Sequence, residues 1–157
     1  MMRRSERILE NIPVGALGLI PVTGCEELGA KVNDYLVKWR RESGHQYKDD
    51  VAFTGYLRDN YIIGAKVPRF GSGEAKGIIT DSVRGKDLYL MVDVLNYSVT
   101  YSLTGNTNHM SPDDHFQNLK RVIAAIGGKS RRSNVIMPFL YESRQHKRNG
   151  RESLDCA

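Results

Sequence analysis

The chain has 157 residues, enough for one domain with a buried core. Hydrophobic residues at 40% and charged residues at 26% are values of a folded domain, and no stretch approaches the ~20 apolar residues of a membrane span. The net charge of +5 permits polyanions and phosphorylated metabolites alike, and it is spread along the chain, so it selects neither.

The opening "MMRRSERILENIPVG" has basic residues but no long apolar core, so it does not read as a secretory signal. Residues 1–14 are expected to be an irregular arm. Cys25 and Cys156 match no metal spacing and make no disulfide framework, which fits a reducing, cytoplasmic location. No repeat or low-complexity segment is visible.

Ala16–Gly24 ("ALGLIPVTG") is a short apolar strand ending in a turn. Thr23 and Glu26 have capping-box spacing, so a helix should follow. Cys25, Leu28, Val32, Tyr35, Leu36 and Trp39 recur at helical spacing, which predicts an apolar stripe with Tyr35 and Trp39 in the core. The helix should fade by Arg41 to Gly44, and a polar, aperiodic loop should follow. Asn60–Phe70 is strand-like up to Pro68. "GSGE" is a turn and "AKGIIT" a second strand, together a hairpin-like pair. Asp87–Val94 is a buried strand. Asn96–Met110 alternates and breaks at Thr104-Gly105-Asn106, as a protruding ribbon or flap would.

The next helix has clear signals. Ser111 can cap it, Pro112 suits its first position, and Asp113 and Asp114 suit the positive end of its dipole. Phe116, Leu119, Ile123 and Ile126 make the stripe, and Gly127-Gly128 stops it. "NVIMPFLY" (Asn134–Tyr141) is then expected to be another buried strand. Strands that are apolar throughout, joined by helices, predict an α/β fold with a mainly parallel sheet flanked by helices. The final "RESLDCA" starts like a helix and stops after seven residues, so the chain is expected to be a piece of a longer protein.

Ligands of open parallel sheets bind beyond the carboxyl ends of the strands. Asp93 stands there after one strand. After the other comes "YESRQHKRNGRES", where Arg144 to Arg151 hold four formal positive charges and no acid. A plain solvated loop, a nucleic-acid patch and a socket for a phosphorylated ligand compete as explanations. For the last, Arg144 offers a bidentate fork, Gln145 has both a donor and an acceptor for a base or ribose, and His146 and Lys147 are candidate phosphate contacts. Ser82 and Arg84 in "SVRGKD" fit a charged turn and could hold an anion. His109, Asp113, Asp114 and His115 have the look of a metal cluster, although capping already explains both acids. There is no Walker A motif, no GxGxxG, and no legible nucleophile–base pair.

"RFGSGEAKGIITDSVRGKDLYLMVDV" followed by "SPDDHFQNLKRVIAAIGGKSRRSNVIMPFLYESRQHKRNGRESLDCA" resembles the N-terminal half of ribose-phosphate pyrophosphokinases, the phosphoribosyl-diphosphate synthetases. Their pattern is an RFSDGE-like hairpin, an ESVRGKD turn, an apolar strand, a helix, and a VIPYYGYARQDRK-like strand and loop. Residues 60–157 carry the likeness, and residues 1–59 share only its outline of strand then helix. The resemblance implies a phosphoribosyltransferase-like α/β domain that, with a second domain, transfers the diphosphoryl group of Mg-ATP to the anomeric hydroxyl of ribose 5-phosphate. AMP and phosphoribosyl diphosphate would be the products. It implies homo-oligomers, dimers or hexamers, with the ATP site between subunits, Mg²⁺ accompanying ATP, and neither nucleic acid nor membrane as partner. Arg144 and Gln145 match the family's ATP-contacting pair. Phe70, Ser72 and Glu74 match a hairpin tip that enters a neighbour's adenine pocket, Phe70 stacking on the base and Glu74 accepting from its amine. Ser82, Arg84 and Arg151 match positions that bind a regulatory phosphate or nucleotide in some members.

The chain also departs from the pattern. Ser72 replaces the usual Asp or Asn, His146 stands where Asp or Glu is common, and the basic loop is shorter. Residues 42–59 and 95–110 look longer than in short members. The family's catalytic basic loop, its acidic ribose-phosphate loop and its metal-binding histidine lie beyond Ala157, so these residues alone are expected to be inactive. A catalytically silent relative that regulates a synthetase, and a nucleic-acid-binding domain, are the competing expectations.

Overall fold

A computed structural model of the chain describes residues 12–43, 51–144 and 147–153. Its centre is a parallel sheet in the order β1 (Leu17–Pro21), β4 (Asp87–Met91), β7 (Arg132–Ile136). The register pairs Leu19 with Tyr89 and Tyr89 with Asn134. On the free side of β1, Leu19 donates to the Tyr61 carbonyl and accepts from Ile63, each at 2.8 Å, so the segment around Ile62 extends the sheet in parallel.

Alternate residues of β1 and β4 feed opposite faces, as the pleat requires. Ile20, Leu88 and Leu90 face helix α2 (Pro112–Ile126) and pack with its Leu119, Val122 and Ile126. Leu17, Leu19 and Tyr61 face helix α1 (Glu26–Ser43) and pack with Val32, Leu36 and Val37. Leu88 and Leu90 are completely buried, each worth about 1.5–3 kcal/mol of transfer free energy. The chain leaves β1 through α1 toward Ile62 and leaves β4 through α2 toward β7. The two excursions run in opposite directions and use opposite faces, which is what right-handed crossovers demand. The α/β, mainly parallel architecture expected from the sequence is therefore present.

Two antiparallel pairs stand off this sheet. β2 (Ala65–Lys66) pairs with β3 (Ile78–Ile79), and an Arg69–Ala75 bridge carries the pair to its tip. β5 (Thr100–Leu103) and β6 (Asn106–His109) form the expected ribbon, turning at Thr104-Gly105. A short 3-10 turn, Val51–Phe53, lies in the segment expected to be loop.

Four local expectations are corrected. α1 starts at Glu26, without a Thr23 cap; Glu26 instead accepts from the Gly24 amide at 2.8 Å. Tyr35 and Trp39 are not core: they are 70% and 50% exposed. α1 turns Gly29 and Asn33 inward instead, Gly29 because Pro21 leaves no room for a larger residue, and Asn33 because its carbonyl oxygen accepts from Tyr61 N at 2.8 Å. In α2 the inward positions include His115, Asn118 and Val122, while Ile123 is exposed. Finally, Asn134–Tyr141 is not a buried strand. β7 ends at Ile136, is an exposed edge, and residues 137–140 are irregular and lead into a turn at 141–144.

Candidate functional site

The strand order reverses between β1 and β4, and a doubly wound sheet ordinarily takes its ligand in the crevice at that point. Here the chain fills the crevice itself. Asn96, at the base of the ribbon, donates to the Gly24 carbonyl at 3.0 Å, and its own carbonyl lies 2.9 Å from His115 Nε2. A Cβ at Gly24 would meet Val99 at 2.8 Å. Asp93 accepts from the Leu95 amide at 3.0 Å. Burial, with Asp93 and Glu26 adding like charge, pushes the neighbouring Cys25 thiol up despite a backbone hydrogen bond. The polar groups here, Asp93 included, thus serve the ribbon base.

Exposed chemistry gathers instead one step along the same end of the sheet, around the first turn of α2. Ser111 caps this helix with a reciprocal box: Asp114 N donates to its hydroxyl at 3.1 Å, and Ser111 N donates to Asp114 Oδ2 at 3.0 Å. Arg69 of the hairpin reaches this turn, 3.2 Å from Asp114 Oδ1, and lies 3.8 Å over the Tyr101 ring of the ribbon. Its Nη1 also donates to the Gly73 carbonyl at 3.0 Å, which closes the hairpin tip. Phe70 N donates to Glu74 O and Gly73 N to Phe70 O. Gly73 sits at φ +90, a conformation that a side chain would strain. The closed turn presents Phe70, half exposed at 51%, with Ser72 and Glu74 beside it, the serine hydroxyl 3.2 Å from the carboxylate.

From β7 the chain returns to the same helix turn. Tyr141 stacks on Phe116 with ring centroids 4.3 Å apart, and its hydroxyl donates to Asp113. That hydrogen bond, then burial and the Asp113 charge, raise the phenol above its ordinary range. Arg144 follows three residues later and is exposed, as are Lys147 and Arg151. Arg148 Nε donates to Glu152 O at 2.8 Å. Gln145 and His146 lie outside the described residues.

The hairpin runs along α2 from this turn. Gly77 passes the Arg121 backbone, and the loop holding Ser82 and Arg84 meets the far end, where Gly85 N donates to Lys129 O at 3.0 Å. The 15 residues of α2 put about 22 Å between the two ends. Ser82 and Arg84 therefore stand at the amino end of the sheet. Burial first and Arg58 second lower the nearby Lys86 ammonium there, with Asp81 opposing. The structure brings Phe70, Ser72, Glu74 and Arg144 to one end, and leaves Ser82 and Arg84 at the other. The four residues with the look of a metal cluster do not assemble into one among the described residues: His109 Nδ1 pairs with Tyr97 O at 2.7 Å, His115 is buried, and both acids are engaged. Sequence reasoning missed Arg69 and Tyr141. Arg69 sits between Pro68 and a turn, and Tyr141 ends an apolar run, so neither announced a linking role.

The fold is a doubly wound parallel α/β domain with the hairpin tip and the start of the basic loop gathered at the carboxyl end of its sheet. The family model for the N-terminal domain of ribose phosphate pyrophosphokinase matches residues 17–157. The chain belongs to that family. No curated protein and no solved structure matches it.

Proposed function

We propose that this chain is the nucleotide-binding part of a ribose-phosphate diphosphokinase, which converts Mg-ATP and ribose 5-phosphate into AMP and phosphoribosyl diphosphate. The observation that carries this reading is the joint anchoring of the hairpin tip and the basic loop on the first turn of α2, in a member of this family. In the reaction the anomeric oxygen of the sugar bonds to the β-phosphorus of ATP. The bond from that phosphorus to the α-phosphate oxygen breaks, AMP leaves, and the hydroxyl proton is released. Diphosphoryl transfer asks mainly for positioned charge rather than covalent help. Arg144 supplies a fork for phosphate oxygens, with Gln145, His146 and Lys147 beside it in sequence. Magnesium enters as part of the Mg-ATP substrate, neutralising charge on the triphosphate.

The hairpin supplies the base contacts, Phe70 by stacking and Glu74 by accepting from the exocyclic amine, with Ser72 between them. Following the family resemblance, it serves a neighbouring subunit, so the site is complete only in a homo-oligomer, dimer or hexamer. The groups for ribose phosphate and for the transfer step itself belong to the second half of such an enzyme, so residues 1–157 alone are inactive in this reading. Ser82, Arg84 and Arg151 are assigned to a separate regulatory phosphate, shared between subunits because Ser82 and Arg84 stand at the end of α2 opposite the turn that anchors the basic loop.

The test is AMP formation by the full-length protein, with and without ribose 5-phosphate. Sugar-dependent AMP is expected, and Arg144→Ala should lower it by about 10- to 100-fold, the worth of a charged hydrogen bond to phosphate. ATP binding without AMP would replace this reading with a silent partner that regulates an active synthetase.

A further inference from the structure

The first turn of α2 carries two adjacent carboxylates, and each holds a different segment. Asp114 divides its oxygens. Oδ2 accepts from Ser111 N and from the Ser111 hydroxyl, both at 3.0 Å, and this completes the helix cap. Oδ1 is left for Arg69 at 3.2 Å. The two side chains are only 11% and 23% exposed, so this is a semi-enclosed pair rather than a solvated surface one. Arg69 in turn holds the Gly73 carbonyl and lies on Tyr101. Asp113 has no part in the cap. Its Oδ1 receives the Tyr141 hydroxyl, Tyr141 is stacked on Phe116, and its amide donates to Met137 Sδ at 3.1 Å. Capping therefore explains one oxygen of one carboxylate and leaves both tethers unexplained.

Resting on the nucleotide-site reading above, we infer that Asp113 and Asp114 are positioning residues for ATP. Asp114 fixes the hairpin tip through Arg69, and Asp113 fixes the Arg144 loop through Tyr141. Neither carboxylate touches the nucleotide. Each removes freedom from a segment that would otherwise have to be ordered at the moment of binding, and so lowers the cost of taking up ATP. Because both tethers end on one helix turn, the hairpin given to a neighbouring site and the loop kept in the chain's own site share a single rigid reference.

Asp114→Asn keeps an oxygen for the Ser111 cap and removes the charge that holds Arg69. Tyr141→Phe keeps the stack on Phe116 and removes the hydroxyl. In the full-length protein each substitution should raise KM for Mg-ATP about tenfold, with kcat and KM for ribose 5-phosphate within about twofold of wild type. Amide hydrogen exchange, read on the same proteins, should quicken at Phe70 and Gly73 in Asp114→Asn and at Tyr141 and Ser143 in Tyr141→Phe. The crossed effects should be absent. If the wild type makes AMP but both variants keep its KM for ATP, or lose kcat and melting temperature together, the positioning role is overturned and the enzyme reading stands. A wild type that makes no sugar-dependent AMP overturns both.

Discussion

Asp114 accepts from two donors of Ser111 and faces Arg69, and its titration follows from that count. Partial burial pushes its carboxyl up, but the Ser111 backbone and hydroxyl donors, and then the Arg69 charge and hydrogen bond, outweigh burial and hold it below the usual range. A carboxylate depressed on folding stabilises the fold above its unfolded value, about 3.9, and loses that contribution as pH falls through the lower folded value. Urea unfolding near neutral pH should therefore find Asp114→Asn less stable than wild type. The gap should narrow as pH is taken below about 4 and close once the carboxyl is protonated in both states. A gap that persisted in acid would place the loss in packing rather than in charge.

At the scale of elements, the hairpin works because it can lie flat along α2. Gly77 is where the two backbones meet: a Cβ there would stand 2.7 Å from the Arg121 carbonyl carbon and closer still to its oxygen. Gly77 leads directly into β3 and meets helix backbone, neither of which can yield cheaply, so Gly77→Ala should destabilise the domain by about 1–3 kcal/mol. A lowered urea midpoint with unchanged slope would show this; an unchanged midpoint would mean that hairpin and helix can separate. The sequence made some of this arrangement readable. β1, β4, the turn at "GSGE" and the cap at Ser111 all carry local signals, either unbroken apolar runs or residues with one preferred backbone role. β7 was less readable, because an apolar run without periodicity does not say whether both its faces are covered. "NVIMPFLY" turned out to be an exposed edge followed by a turn that carries Tyr141 back to α2. The hairpin tip and Arg144 could be picked out as candidates from motif order, but the tethers could not, since Arg69 and Asp114 are 45 positions apart and their meeting depends on the tertiary fold.

On the whole molecule, the two faces of the sheet differ. The α2 face is closed over an apolar cluster that runs from Ile20 to Ile126. On the α1 face, an open groove of about 460 Å³ runs between the helix and β7, lined by Leu17, Leu19, Leu36, Tyr89 and Ile136 among others. Val32 and Leu36 of α1 line it, while Leu28, Tyr35 and Trp39 form an exposed stripe along the same helix. Helical spacing put Leu28, Tyr35 and Trp39 in the inward stripe, but Gly29 and Asn33 take the buried face and leave those three exposed. Trp39 is the one tryptophan of the chain, so its emission reports this stripe alone. Being half exposed, it should emit like a hydrated indole and be quenched by iodide. Trp39→Ser should change the unfolding free energy by less than about 0.5 kcal/mol, as a surface substitution does. Leu90→Ala, which empties a fully buried position in β4, should cost about 2–5 kcal/mol. A blue-shifted, unquenched Trp39, or a large loss on its replacement, would mean that the stripe is covered in solution and that the α1 face is part of the core after all.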